Sequence, residues 1–343
     1  MSVTDAKTAF HLPPAVHNAA GRVRKAGFEL EYAGLSLEAA AVIVRHVFGG
    51  RHVVEGPSVQ RVASTRFGTF KLEIDSSLLK DRKYEQPLRA LGLDPEKLGG
   101  ATVVERAVAR VFAAAGVPFE IVTPPIPITD LAPLDEFRRL LWQNEADGTR
   151  VLPWYAFGMH INPEIPGNDP GLLRDYLRAF LLLYPWLKDR VRVDLARSIS
   201  PYINAFPDAY ASLLLRADYP ADAGRLIDDY LAYNPTRNRP LDMLPVLCHL
   251  DERRVMHRVQ ERHLVKARPA FHYRLPNCLV DEPDWTLARE WNTWVAVERL
   301  AHDPERIARM SRDYLDADRR SFKPFVDRWP RALEQYMGTR FEV

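Results

Sequence analysis

The sequence predicts an α+β fold in which the first half of the chain supplies most of one sheet, a single late strand returns to it, and the second half is rich in helix. Three observations carry that expectation. Runs that alternate apolar and polar residues recur, nearly all of them before Pro163. Helical periodicity dominates the remainder. The 27 prolines are spread through turns such as Thr123-Pro124-Pro125 and Asn162-Pro163, so they punctuate the chain and do not form a linker; no repeat or low-complexity segment divides it either.

Taken in order, Ala26 to Tyr32 (AGFELEY) sets Phe28 and Leu30 on one side and Glu29 and Glu31 on the other, the signature of a strand with one charged face. Ser36 then precedes Leu37-Glu38-Ala39-Ala40-Ala41, an N-cap and a helix that stops at Gly49-Gly50. Further strands are expected at Thr69–Ile74, Pro118–Val122, Tyr155–Asn162 and Ala270–Leu275. Helices are expected at Thr102–Ala115, Leu134–Glu145, Gly171–Trp186, Ala221–Ala232 and Asp284–His302, with two more between Pro304 and Met337.

A chain of 343 residues can bury a large core, and 47% apolar with 27% charged residues is the balance of a soluble globular protein. The 47 basic against 45 acidic residues leave a formal charge of +2, which gives no broad electrostatic footprint for nucleic acid or an anionic membrane. Any anion must therefore be bound locally. Cys248 and Cys278 lack the spacing of a zinc or redox pair and read as buried small hydrophobes. The N-terminus has no apolar signal core, and the longest apolar run, Ala179 to Tyr184, is too short to cross a bilayer; a cytoplasmic protein is expected.

The residues that carry chemistry cluster on the predicted strands. Glu29 and Glu31, two apart, leave one face about 7 Å from each other, a pair suited to magnesium-type cations or, more plainly, to a solvated strand face. Glu73 and Asp75 repeat the spacing, and Glu120 lies in a third short strand. Carboxylates gathered on neighbouring strands repel unless cations or arginines compensate. In AFGMHINPEIP, His160 and Asn162 point the same way, with Gly158 allowing close approach. A lone histidine is usually structural, but beside carboxylates a neutral imidazole is an apt ligand. KARPAFHYRLPN offers Arg268, His272 and Arg274, with His272 and Arg274 on one face; an arginine there can hold a carboxylate or phosphate, or pair with acids across the sheet.

These motifs, in this order, resemble the glutamine synthetase superfamily and within it the amidoligase family. FELEY resembles the first ExE strand, KLEIDSSL the acidic strand followed by serine, FEIVTPPI the later Glu-Ile/Leu-Val-Ser/Thr-Pro segment, GMHIN the glycine-methionine-histidine strand, and FHYRLPN the late strand that carries arginine and proline. The resemblance implies a glutamine synthetase-like curved antiparallel sheet with packed helices and a helix-rich C-terminal portion. It divides the chain into an N-terminal segment (1–25), a catalytic domain (26–280) and a helical C-terminal extension packed on it (281–343). It also implies ATP with magnesium or manganese as cofactors, and small-molecule or peptide carboxylate and amine substrates. Glu29, Glu31, Glu120 and His160 would be metal ligands and Arg274 a phosphate or acyl phosphate contact. Asp75 belongs to the acidic motif.

Two positions depart from the pattern. His272 stands where glutamine synthetases carry a metal-binding glutamate, and would ligate as an imidazole with a taste for softer ions. Asn162 stands where they carry a second histidine near the nucleotide; with Arg268 and Arg274 it is expected among the cofactor contacts. The implied reaction is two-step: a substrate carboxylate is phosphorylated by ATP, and an amine then attacks the acyl phosphate, with Glu73 a candidate for taking the proton. The alternatives are a metal-dependent hydrolase on the same fold and a catalytically silent binding protein. Loop arginines Arg197, Arg237 and Arg239, with Tyr202, either border the cleft or form salt bridges.

Overall fold

The computed structural model describes residues 9–56, 58–74, 119–149, 158–191, 204–259, 261–319 and 329–336. Among these, one sheet contains β1 (Lys25–Tyr32), β2 (Arg51–Val54), β3 (Val59–Thr65), β4 (Gly68–Ile74), β5 (Phe119–Val122), β6 (Ile126–Pro127), β7 (Met159–Pro163), β8 (Leu241–Asp242) and β9 (His272–Tyr273). The spatial order is β2-β3-β4-β5-β1-β7-β9-β8, with β6 also on β1. Every pairing is antiparallel. The α+β class is therefore observed, and β1, the first predicted strand, is central.

Period-two patterning decides which way β1 faces. Ala26, Phe28, Leu30 and Tyr32 are fully buried, whereas Glu29 and Glu31 between them are not. The apolar face continues through Phe70 and Leu72 of β4, Ile121 of β5 and Met159 and Ile161 of β7, all fully buried. Helices cover it. Phe48, from the helix Leu37–Phe48, stacks on Phe70 with centroids 4.7 Å apart, and Phe137, from the helix Pro133–Gln143, meets Phe48 edge-on at 5.7 Å. Trp291 and Trp294 of the helix Leu287–Ala301 reach Phe28 at 6.3 Å and Tyr273 at 5.5 Å. Each such side chain contributes about 1.5–3 kcal/mol through burial, so the packing fixes which face of the sheet remains polar.

Local signals set the helix ends. The Ser36 hydroxyl accepts the Ala39 N–H, and Gly49 at φ 75° closes the first helix, a conformation that penalises any side chain. The helix Pro170–Arg190 opens with Asp169 as cap and runs past Pro185, which has no N–H to give to the Leu181 carbonyl; one residue on, Leu182 O accepts Trp329 Nε1 at 2.8 Å. One buried network ties these parts together. Arg24 grips Glu298 with two bonds of 2.7 and 2.8 Å, and Tyr176 Oη and Trp294 Nε1 donate to the same carboxylate at 2.8 and 2.7 Å.

Some elements differ from expectation. The Ala270–Leu275 run is a ladder only at His272–Tyr273, because Pro269 and Pro276 on either side have no N–H to offer. β2, β3, β6 and β8 were not expected. β2 and β3 lie at the margin of the sheet, where Arg51, His52 and Arg61 blur the alternation, and β6 and β8 are two residues long. The helix Gly171–Trp186 extends to Arg190, and the helices Asp208–Leu214, Leu244–Leu250 and Glu252–Met256 are additional. Helix Thr102–Ala115, Asp75, Arg197 and Tyr202 lie outside the described residues. Both cysteines are free and buried, as expected. Among the described residues no helix is long and apolar enough to cross a membrane.

Candidate functional site

The face of the sheet opposite the core gathers the polar residues of six strands. Across β4, β5 and β1 the register sets Glu73 opposite Glu120 and Glu120 opposite Glu31. From β1 to β7, Glu29 lies opposite His160 and Gly27 opposite Asn162. The Ile161–Tyr273 pair then carries the row to β9, with His160, Asn162, His272 and Arg274 flanking it on the polar side, and Asp242 of β8 lies opposite His272. From Glu73 on β4 to His272 on β9 the row crosses five strands, four steps of about 4.8 Å each.

Its centre is tightly connected. His160 Nδ1 lies 3.0 Å from Glu29 Oε2, its Nε2 3.9 Å from Glu31 Oε1, and Asn162 Nδ2 donates to Glu29 Oε1 at 2.8 Å. Arg268 Nη2 donates to Asn162 Oδ1 at 2.6 Å, so that Asn162 relays the guanidinium to Glu29. Glu31 Oε2 accepts the Gly158 N–H at 2.7 Å, just before β7 begins. The His160 and His272 rings meet edge-on with centroids 5.1 Å apart.

Two sets of ligand atoms result, Glu29–His160–His272 and Glu31–Glu120–His160, each within 4.8 Å. His160 belongs to both. A neutral His160 has one lone pair to give: with the proton on Nδ1 it donates to Glu29 and turns Nε2 towards Glu31, and with the proton on Nε2 it turns Nδ1 towards Glu29, so it can serve either set. Burial opposes the charge on Glu29, but the His160 hydrogen bond and the proximity of His272, His160 and Arg268 outweigh it and hold the carboxyl well below the ordinary range. Burial pushes His272 down to about 4, so its ring is neutral and able to ligate at physiological pH.

The fit of a divalent cation can be tested on one atom. His272 is 3% exposed and its Nε2 has no hydrogen-bond partner, although it faces Glu29 Oε2 at 3.9 Å. Two acceptors pointing at each other in a buried space fit a cation between them better than they fit each other. One carboxylate with two imidazoles in the first set, and two carboxylates with one imidazole in the second, are donors of the kind that divalent metals take.

The remaining expected site residues divide. Arg274 extends the row, donating Nη1 to Arg237 O at 2.6 Å. Glu73 sits one strand beyond Glu120 and is ion-paired with Lys71 at 2.5 Å, away from Arg274. Arg239 is buried against the carbonyls of Asn204, Ala205 and Tyr233, a loop-bracing role, whereas Arg237 Nε lies 3.9 Å from Asp242. Asp242 is the residue that sequence reasoning missed: fully buried, it takes His272 Nδ1 at 3.2 Å. Its one visible signal was an acid between Leu241 and Met243 in an otherwise apolar stretch.

A family model described as "Putative amidoligase enzyme" matches residues 22–296, a span that includes every residue of the row. No curated protein and no solved structure matches the chain.

Proposed function

The chain belongs to the amidoligase family, and from that premise we propose that it is an ATP-dependent carboxylate–amine ligase that forms an amide or isopeptide bond through an acyl phosphate. The supporting observation is the convergence of Glu29, Glu31, Glu120, His160 and His272, from four strands, into two sets of ligand atoms within 4.8 Å. Magnesium or manganese bound there would neutralise nucleotide phosphate and the phosphoryl group in flight.

The chain's own residues then have definable work. Glu29, fixed by His160 and Asn162, keeps its charge at neutral pH and so attracts cation without waiting for a proton to leave. Arg274 and Arg268, at the β9 end of the row, would balance the oxygens of a phosphate or a substrate carboxylate. In the first step a substrate carboxylate oxygen takes the γ-phosphoryl group and ADP leaves. In the second, the amine nitrogen bonds to the acyl carbon, phosphate departs with the carbon–oxygen bonding pair, and a carboxylate receives the N–H proton. Glu73 is our candidate for that last role; full activity in Glu73→Ala would remove it.

The test is titration of the full chain with a non-hydrolysable ATP analogue, with and without magnesium or manganese, beside the Glu29→Ala/Glu31→Ala variant. Metal-dependent binding that the variant loses supports the reading, and ADP release that requires both an acid and an amine completes it. Bond cleavage without nucleotide would turn the assignment to a metal-dependent hydrolase, and absence of nucleotide and metal binding to a silent binding protein.

A further inference from the structure

The contact behind His272 carries more than the family reading. Asp242 is fully buried, and both of its oxygens are engaged: Oδ2 faces His272 Nδ1 at 3.2 Å and Oδ1 accepts the Leu244 N–H at 3.0 Å, with Arg237 Nε 3.9 Å away. The β8–β9 ladder sets the two residues directly opposite one another. An ionised carboxylate only accepts, so it draws the imidazole proton to Nδ1 and leaves the lone pair on Nε2. That lone pair is the buried, unpartnered atom 3.9 Å from Glu29 Oε2. Two bonds of about 2.1 Å to one ion span such a separation.

The two ligand sets also differ in chemistry. Glu31 and Glu120 bring two carboxylates to His160, whereas Glu29 brings one carboxylate to two imidazoles. Magnesium favours oxygen and retained water, while imidazole nitrogen favours later first-row ions. We propose that Asp242 is a positioning residue that presents His272 Nε2 to the Glu29–His160–His272 position, and that this nitrogen-rich position takes a transition-metal ion of the zinc or cobalt type in preference to magnesium. It deepens the metal-binding part of the proposed function and is independent of the ligase chemistry.

The test uses the metal-free full chain, cobalt(II) as probe, and no nucleotide. Cobalt absorption reports imidazole coordination and gives an affinity; magnesium is then added as competitor. Nitrogen-15 correlation spectra of the histidine rings report which nitrogen carries the proton. In the unsubstituted protein His272 carries it on Nδ1, and magnesium at tenfold excess leaves cobalt bound. Asp242→Asn weakens cobalt about 10- to 100-fold and moves the His272 proton to Nε2, while circular dichroism stays the same. His272→Glu lowers the cobalt-to-magnesium affinity ratio at least tenfold. The proposal is overturned if Asp242→Asn keeps both the cobalt affinity and the tautomer, or if equimolar magnesium displaces cobalt. Should Asp242→Asn not fold, the tautomer of the unsubstituted protein decides, and an Nε2-protonated His272 overturns it. Cobalt binding of this kind in a protein that fails the separate nucleotide titration would sink the ligase reading and leave this one standing.

Discussion

His160 Nδ1 lies 3.0 Å from Glu29 Oε2 while its other nitrogen looks to Glu31, so that one imidazole stands between two carboxylates leaving the same strand face. A divalent ion bound to this cluster would add to stability by linkage, about 2.7 kcal/mol at a metal concentration a hundred times the dissociation constant. The thermal midpoint should rise with added manganese in the unsubstituted protein and stay put in Glu29→Ala/Glu31→Ala. An equal rise in both would place the ion elsewhere.

Arg274 donates to the Arg237 carbonyl at 2.6 Å and projects from the same face as His272. Lysine keeps the charge but not the planar fork, so Arg274→Lys should reduce ADP release in the acid-plus-amine assay by roughly ten- to a hundredfold with an unaltered circular dichroism spectrum. Undiminished turnover would show that this guanidinium is only a brace for the 237–238 loop.

Asp135 gives a pH signature away from the site. Burial pushes its carboxyl up to about 6, outweighing the Leu287 and Ala288 N–H groups that it accepts and the charge of Arg138. A raised acid pKa means that the folded state holds the proton more tightly than the unfolded one. The stability it contributes is full below about pH 4 and is lost as pH rises to about 6, by up to about 3 kcal/mol. Asp135→Asn keeps an acceptor for Leu287, and subtracting its denaturation curves from those of the unsubstituted protein should leave that decline. A flat difference would assign Asp135 an ordinary pKa.

Glu298 is fully buried with Arg24, and Tyr176 and Trp294 also donate to it. Removing the acid alone strands a buried guanidinium, so Glu298→Ala should lose about 3–5 kcal/mol in urea unfolding. The double variant Arg24→Met/Glu298→Leu, which removes both charges and refills the volume, should recover most of that. Similar losses in both would mean that packing rather than charge governs the site.

Much of this arrangement was legible in the sequence because strand alternation converts a spacing of two into a shared face. Glu29 and Glu31, and His160 and Asn162, needed nothing more than that. The order of the strands was not legible: that β1 lies between β5 and β7, bringing Glu120 and His160 to opposite sides of the same pair, depends on long-range pairing that no local pattern encodes. Asp242 escaped for a related reason. A two-residue strand has no period to detect, and the importance of the residue comes from a neighbour 30 positions away. For Asn162 the strand alternation gives the shared face with His160, while its amide bonds to Glu29 and Arg268 depend on where those neighbours lie in the fold.

The Arg24–Glu298 pair joins positions 274 residues apart, which has a consequence for how the protein is made. At about 5–20 residues per second, roughly 15 to 55 s of translation separate the two partners. During that interval β1 has already left the ribosome, yet Trp291, the ring that meets Phe28, has not been synthesised. The central strand of the sheet is thus the earliest made, and Phe28 waits for its tryptophan cover through most of synthesis, the condition under which a holding chaperone gains its purchase.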